Sequence, residues 1–289
     1  MSPDDAIILR SGDATARVAL HGAELTSWTV GGREVMWSAD PQYWARSAPI
    51  LFPVVGASRD GAVSIAGKTF AMPQHGFARD SVFDVVERSD DAVTLRLIDN
   101  GLARMHYPFS FALAVTVKLA GDELTIEFSV ENTGGSTMPY QLGWHPAFVW
   151  PFLSHHKAGH EVLFASDKPR AIVRPNAYGL LKRSSVSAEA RLVLDDQMFE
   201  QGALVFADAG SDAVTFTSPS GASLNIAVED FPHWAIWTKL GAPFVSIEQW
   251  TGLPEWEDEP RPLKERPSAI LLEQGDRRRH SIRLSVTTA

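Results

Sequence analysis

The chain has 289 residues, 45% of them apolar and 21% charged, a balance that suits a globular protein with an ample core rather than a disordered or fibrous one. Its formal net charge of -9, with basic residues gathered only in short groups such as Arg277-Arg278-Arg279, repels phosphate backbones, so neither nucleic acid nor an anionic membrane surface is an expected partner. The absence of cysteine excludes disulfides, thiolate catalysis and Cys-ligated zinc.

Met1-Ser2-Pro3-Asp4-Asp5 has neither the basic start nor the apolar run of a secretory signal, and no later stretch is long and apolar enough to span a bilayer, so a cytoplasmic location is expected. From there apolar and polar residues alternate with period two, the signature of half-buried strands, over Thr15 to Leu20, Ser81 to Val86, Val93 to Leu97, Phe111 to Leu119 and Leu124 to Val130. The pattern resumes over Ala213 to Thr217, Leu224 to Val228, Trp234 to Leu240 and Ser281 to Val286. Turn chemistry separates these runs at Gly31-Gly32, Asp60-Gly61, Asn132-Thr133-Gly134-Gly135 and Pro219-Ser220-Gly221. Helical periodicity is weak; short turns are expected at Pro41 to Trp44 and Asp195 to Gln201. Ser154 to Gly159 reads as a loop, and Glu255 to Arg266, charged and proline-bearing, as an exposed segment. Many short strands with little helix predict an all-β architecture of antiparallel sheets packed face to face, in one domain over residues 1–289.

Three short motifs combine Gly, Pro and aromatic residues with one titratable group each: Gln74-His75-Gly76-Phe77-Ala78-Arg79-Asp80, Gly143-Trp144-His145-Pro146-Ala147-Phe148 and Ile247-Glu248-Gln249-Trp250-Thr251-Gly252. Such composition is expected where a chain turns at a strand end and aims a polar group into a ring-lined pocket. Each has a plain structural reading too. His75 can cap a carbonyl while Arg79 pairs with Asp80, and His145 beside Trp144 can be a hydrogen-bonded core residue. Glu248 stands out because Phe244-Val245-Ser246-Ile247 reads as a buried strand, and a carboxylate in such a place needs a purpose, either chemistry or an ion pair with an arginine such as Arg79. Asp196 can accept from a hydroxylated ligand or cap a helix. Among the nine tryptophans, Trp44, Trp144, Trp150, Trp237, Trp250 and Trp256 fall in or beside expected loops, where rings can cover the C–H face of a sugar, although most such rings belong to cores.

Taken in order, these motifs resemble those of the aldose 1-epimerase (galactose mutarotase-like) family, and specifically a bacterial branch. Leu20-His21-Gly22-Ala23-Glu24-Leu25, Val35-Met36-Trp37 and Pro49-Ile50-Leu51-Phe52-Pro53-Val54-Val55-Gly56 are similar as well, so the likeness covers most of the chain. The resemblance implies a β-supersandwich and a reaction that interconverts the α and β anomers of an aldohexose such as galactose or glucose, with no cofactor and no metal. It implies Glu248 as general base and His145 as general acid; reference pKa values of about 4.3 and 6.5 leave the glutamate ionised near neutral pH, while a neighbouring carboxylate can keep the histidine protonated. His75, Arg79, Asp196 and Trp250 would contact substrate, and the protein would act as a monomer or homodimer on a monosaccharide. Two positions depart from the family pattern: Gln249 stands where relatives often carry proline, and Ala57 where many carry arginine, with Arg59 two positions on. Other readings of the same residues are a non-catalytic carbohydrate-binding protein, a metal site built on the two histidines and the glutamate, and a glycosidase using Asp196 and Glu248.

Overall fold

The computed structural model describes residues 5–184 and 186–288; residues 1–4, read above for the absence of a leader, lie outside them. The longest alternating run falls inside the strand Glu123–Asn132, which buries Leu124, Ile126, Phe128 and Val130 and turns the residues between them outward. It pairs antiparallel with Phe111–Ala120 on one side, Val115 opposite Phe128, and with Arg277–Thr287 on the other, Ile126 opposite Ile282. Apolar side chains thus line up across strands on one face, where neighbours interact directly. Continued outward, this arrangement makes a nine-stranded sheet that runs from Arg191–Val193 at one edge to Asp84–Arg88 at the other.

A four-stranded sheet holds Ala6–Ser11, Ala14–Ala19, Leu25–Val30 and Arg33–Glu34. A six-stranded sheet runs in the order Leu204–Phe206, His233–Trp237, Phe244–Trp250, Gly143–Trp144, Ile50–Leu51, with Ala147–Val149 also paired to Phe244–Trp250. The named strand pairs are antiparallel, and one apolar core runs from Ile7 through Trp28, Phe128 and Trp234 to Val286. The structure is the all-β architecture expected, with little helix.

Pro41 to Trp44 forms no helix: Asp40 organises it as turns, its carbonyl accepting from Tyr43 and Trp44 and its carboxylate from the Gln42 amide. Asp195 to Gln201 contains a short 3-10 helix, Asp196–Phe199, capped by Asp195 through the Gln197 N–H at 2.8 Å. The one α-helix among the described residues, Gly101–His106, escapes sequence periodicity because six residues complete fewer than two turns; Asn100 caps it through the Ala103 N–H. The strand expected from Ser81 begins only at Asp84, since Ser81 still bonds back to Ala78 at the end of a 3-10 turn.

Glu255 to Arg266 is not uniformly exposed. Both named ends are buried: Arg266 pairs with Glu255 at 3.2 Å, and that carboxylate also accepts the backbone N–H groups of Arg59 and Arg261. A buried carboxylate is tolerable when its lone pairs are filled, and here it fastens two loops together.

Candidate active site

The strand Phe244–Trp250 is buried at all seven positions, but its side chains still alternate between faces. Val245, Ile247 and Gln249 share one face, while Phe244, Ser246, Glu248 and Trp250 share the other. The pairing register does the rest. Trp144 lies opposite Gln249 and Ala147 opposite Ser246, so the positions between them align His145 with Glu248 and Pro146 with Ile247. Proline has no N–H to give the ladder, so the two strand pieces Gly143–Trp144 and Ala147–Val149 flank a short interruption. At that interruption the cross-strand neighbours His145 and Glu248 meet, Nε2 to Oε1 at 3.2 Å.

Each partner is held a second time. The other carboxylate oxygen of Glu248 accepts the Trp250 indole N–H at 3.0 Å, and His145 Nδ1 lies 2.9 Å from the Ser246 hydroxyl oxygen. Trp44 lies over the His145 ring at a centroid distance of 4.8 Å, and Trp237 meets it edge-on at 5.9 Å. Glu248 is 2% exposed and His145 8%. Burial pushes the Glu248 carboxyl well above its ordinary value, the Trp250 N–H opposing in part. Burial likewise pulls His145 down to about 3, with the positive charges of Arg79 and Arg46 pulling the same way. Burial thus disfavours the charge on both partners, against the carboxylate and imidazolium expected near neutral pH, because the apolar walls penalise both charges.

His75 comes to the same place from another segment, its ring centroid 5.7 Å from that of His145 and nearly perpendicular to it. Its Nδ1 accepts the Gly56 N–H at 3.1 Å, so Nε2 carries the proton and acts as donor. Burial, then His145, Arg79 and Arg46, hold its pKa well below the histidine value, so it stays neutral. The next residue, Gly76, bridges to Phe52. A side chain there would put Cβ 2.1 Å from the Phe52 carbonyl oxygen, and φ is +73°, so backbone packing against the Phe52 segment requires glycine. Arg79 is buried at its Nε, donates from Nη2 to the Gln74 carbonyl at 2.6 Å, and has Asp80 only at 3.7 Å, since Asp80 pairs more closely with Arg46 at 2.6 Å.

These groups line one cavity of about 470 Å³, within the range that holds small ligands. His75, Arg79, His145, Glu248 and Trp250 all face it, so five of the six site residues expected from sequence converge. Asp196 does not. It sits on the 3-10 helix Asp196–Phe199, away from the lining, and its carboxylate is taken by Lys157 at 2.8 and 3.1 Å. That leaves Glu248 as the one carboxylate among the lining residues, which removes the paired acids a glycosidase would need. Nor do His75, His145 and Glu248 form a metal cage: among the described residues no group of three or more His, Asp or Glu is arranged to hold an ion. The rings beside His145 are Trp44 and Trp237, not its neighbour Trp144, which points to the opposite face and is buried in the core with Trp150.

Sequence reasoning missed Ser246, although the period-two rule read back from Glu248 would have found it. It also missed the hairpin made by Arg174–Pro175 and Leu181–Lys182, which supplies the far wall with Asn176, Tyr178 and Gly179. Asn176 shapes that hairpin by accepting from the Tyr178 and Leu180 N–H groups. The hairpin packs onto Ala57, where a Cβ added at Gly179 would lie 2.9 Å from the Ala57 Cβ, so main chain fills the space beside this small residue. Arg59 does not stand in for a longer side chain at position 57, because its guanidinium turns away to the Glu257 carbonyl.

The family profile described as aldose 1-epimerase matches residues 5–285. The plasmid and chromosomal LacX proteins of Lactococcus lactis subsp. lactis are 31% identical over 276 residues, covering 90% of this chain and 92% of theirs. A galactose mutarotase related enzyme from Lactobacillus acidophilus superimposes with a TM-score of 0.91 at 26% identity, covering 98% of both chains. A galactose mutarotase-like protein from Lactobacillus casei gives 0.88 at 29% identity, covering 98% of this chain and all of the other.

Proposed function

The chain belongs to the aldose 1-epimerase family, and from that premise we propose that it is a mutarotase, interconverting the α and β anomers of a free aldohexose such as galactose or glucose. The observation that carries this reading is the direct contact of Glu248 with His145 in a cavity of monosaccharide scale. Mutarotation takes a proton from the anomeric hydroxyl and gives one to the ring oxygen, so the ring opens, the aldehyde rotates and the ring closes on its other face. One acceptor and one donor suffice, and both must stand beside the same carbon.

A neutral pair sharing one proton meets that need economically. Moving the proton from Glu248 Oε1 to His145 Nε2 creates the base and the acid together with no change in net charge. Glu248 then accepts from the anomeric hydroxyl while His145 protonates the ring oxygen, and the roles reverse on closure. The Trp250 N–H, 3.0 Å from Glu248, stabilises the carboxylate as it forms. His75 through Nε2–H and Arg79 through its guanidinium donate to sugar oxygens and hold the ring while the bond from C1 to C2 rotates. Trp44 and Trp237 offer apolar faces to its C–H groups.

The test is polarimetric relaxation of freshly dissolved α-glucose and α-galactose, extended to other aldoses and their 6-phosphates by NMR exchange of the anomeric proton. Acceleration over the spontaneous rate supports the proposal. Saturable sugar binding with no acceleration for any member of the panel would refute it in favour of a carbohydrate-binding role.

A further inference from the structure

Ser246 has a single hydroxyl proton and two neighbours that could take it: the Pro146 carbonyl oxygen at 2.6 Å and His145 Nδ1 at 2.9 Å. A carbonyl oxygen can only accept. Were the proton turned toward Nδ1, two oxygens would face each other at 2.6 Å with nothing between them, a repulsive contact at a fully buried serine. The proton therefore goes to Pro146, and His145 must donate its own Nδ1–H to the serine oxygen. We propose that Ser246 is a positioning residue which locks His145 in the Nδ1–H form, so that the proton the site exchanges is carried on the Nε2 side of the ring, where His145 meets Glu248.

The consequence is an ordered chain of donors: His145 Nδ1–H to Ser246, Ser246 to the Pro146 carbonyl, and from the far side the Trp250 N–H to Glu248. With Nδ1 occupied as donor, Nε2 of the neutral ring presents a lone pair to Glu248. Two lone pairs would repel at 3.2 Å, so one proton, and one only, belongs between them. The opposite tautomer would turn Nε2–H permanently toward the carboxylate and leave the buried Nδ1 facing an oxygen it cannot bond. The ring would then have no basic nitrogen with which to exchange a proton at the sugar. Ser246 can do this because the strand Phe244–Trp250 places it two residues before Glu248 on the same face and opposite Ala147. It is fully buried, so water cannot substitute for its hydroxyl.

This inference rests on the mutarotase reading for its kinetic arm alone. The decisive measurement is the imidazole ¹⁵N spectrum of the ¹⁵N-histidine-labelled protein, with the His145 signals identified by their loss in His145→Gln. The wild-type protein is expected to show a protonated Nδ1, and an unprotonated Nδ1 overturns the proposal whatever the enzyme does with sugars. In Ser246→Ala the Nδ1 signal should shift toward the unprotonated form, and kcat should fall by at least about tenfold, the lower end of what losing a partner that orients an imidazole costs. KM should stay within about twofold, since Ser246 is not on the sugar. Ser246→Thr, which keeps the hydroxyl, should restore both the tautomer and most of kcat. An alanine variant that keeps the wild-type tautomer and rate overturns the assignment. If the wild-type protein turns over no sugar, the mutarotase reading fails while the ¹⁵N spectra still decide the role of Ser246.

Discussion

Glu248→Gln separates proton transfer from every other property of the site. A carboxamide has nearly the shape of the carboxyl group and can keep both of its contacts: its oxygen accepts the Trp250 N–H now 3.0 Å from Glu248, and its NH₂ donates to His145 Nε2 across the present 3.2 Å. No buried polar atom is orphaned and no charge is buried, so the usual sources of large destabilisation are absent and the melting temperature should be unchanged or higher. What the amide cannot do is take up or release a proton. General acid and base groups contribute about a hundred- to ten-thousandfold each, which at about 1.4 kcal/mol per tenfold corresponds to roughly 3–5 kcal/mol of transition-state stabilisation. The assay is polarimetric relaxation of α-glucose or α-galactose corrected for the spontaneous rate, beside a sugar titration followed by quenching of Trp44, Trp237 and Trp250, which line the cavity. The expected result is binding near wild type with kcat reduced by that factor. A folded variant that relaxes the sugar within about tenfold of wild type would refute Glu248 as a proton carrier.

Stability should fall steeply in mild acid, because burial holds His145 at about 3, His233 at about 4 and His75 well below the histidine value, whereas all three protonate near pH 6.5 when unfolded. Glu248, held well above its ordinary value, keeps a proton in the folded state and offsets one of the three, so the slope grows as pH falls below about 6.5 and from about pH 5.5 to 4.5 the unfolded chain binds about two more protons, losing stability at roughly 2.7 kcal/mol per pH unit. Urea denaturation at stepped pH would read this, and a flat profile across that window would contradict the buried neutral histidines. Asp196→Ala should leave kcat/KM within about twofold, costing at most about 1 kcal/mol through its half-exposed pair with Lys157; a large kinetic loss would mean that Asp196 reaches the sugar after all. Gly76→Ala should destabilise by several kcal/mol, since its Cβ would collide with the Phe52 carbonyl and φ is positive, and a normal melting temperature would contradict that local geometry.

The sheets were legible from alternation because a period of two survives wherever one face is buried and the other wet, as in Glu123–Asn132 and Ala213–Thr217. Alternation failed where both faces are covered. Phe244–Trp250 is buried throughout, so Ser246 gave no polar-outward signal and passed as filler in an apolar run. The short strands of the cavity wall, such as Arg174–Pro175 and Leu181–Lys182, are two residues each and carry no period at all. The site was legible only as separate motifs, because the facts that join them are registers between distant segments. Asp196 misled for a related reason. Its carboxylate was free to be assigned to a ligand until a lysine 39 positions away was placed against it.

Reference pKa values point to an ion pair, whereas burial pushes both groups toward their neutral forms, a difference that bears on how the fold sustains the site. Charging both Glu248 and His145 within these walls would cost more desolvation than their mutual attraction repays, unless further hydrogen bonds supported each charge. The carboxylate has one such bond, from Trp250, and the imidazolium would have one, to Ser246. That support is enough to make the charged arrangement reachable but not enough to make it the resting state. A sugar placing its anomeric hydroxyl and ring oxygen against the pair would add the missing partners, an acceptor for the imidazolium N–H and a donor for the carboxylate. Substrate would then favour the reactive arrangement that the empty cavity disfavours, and the fold would be spared the burial of a permanent ion pair between turnovers.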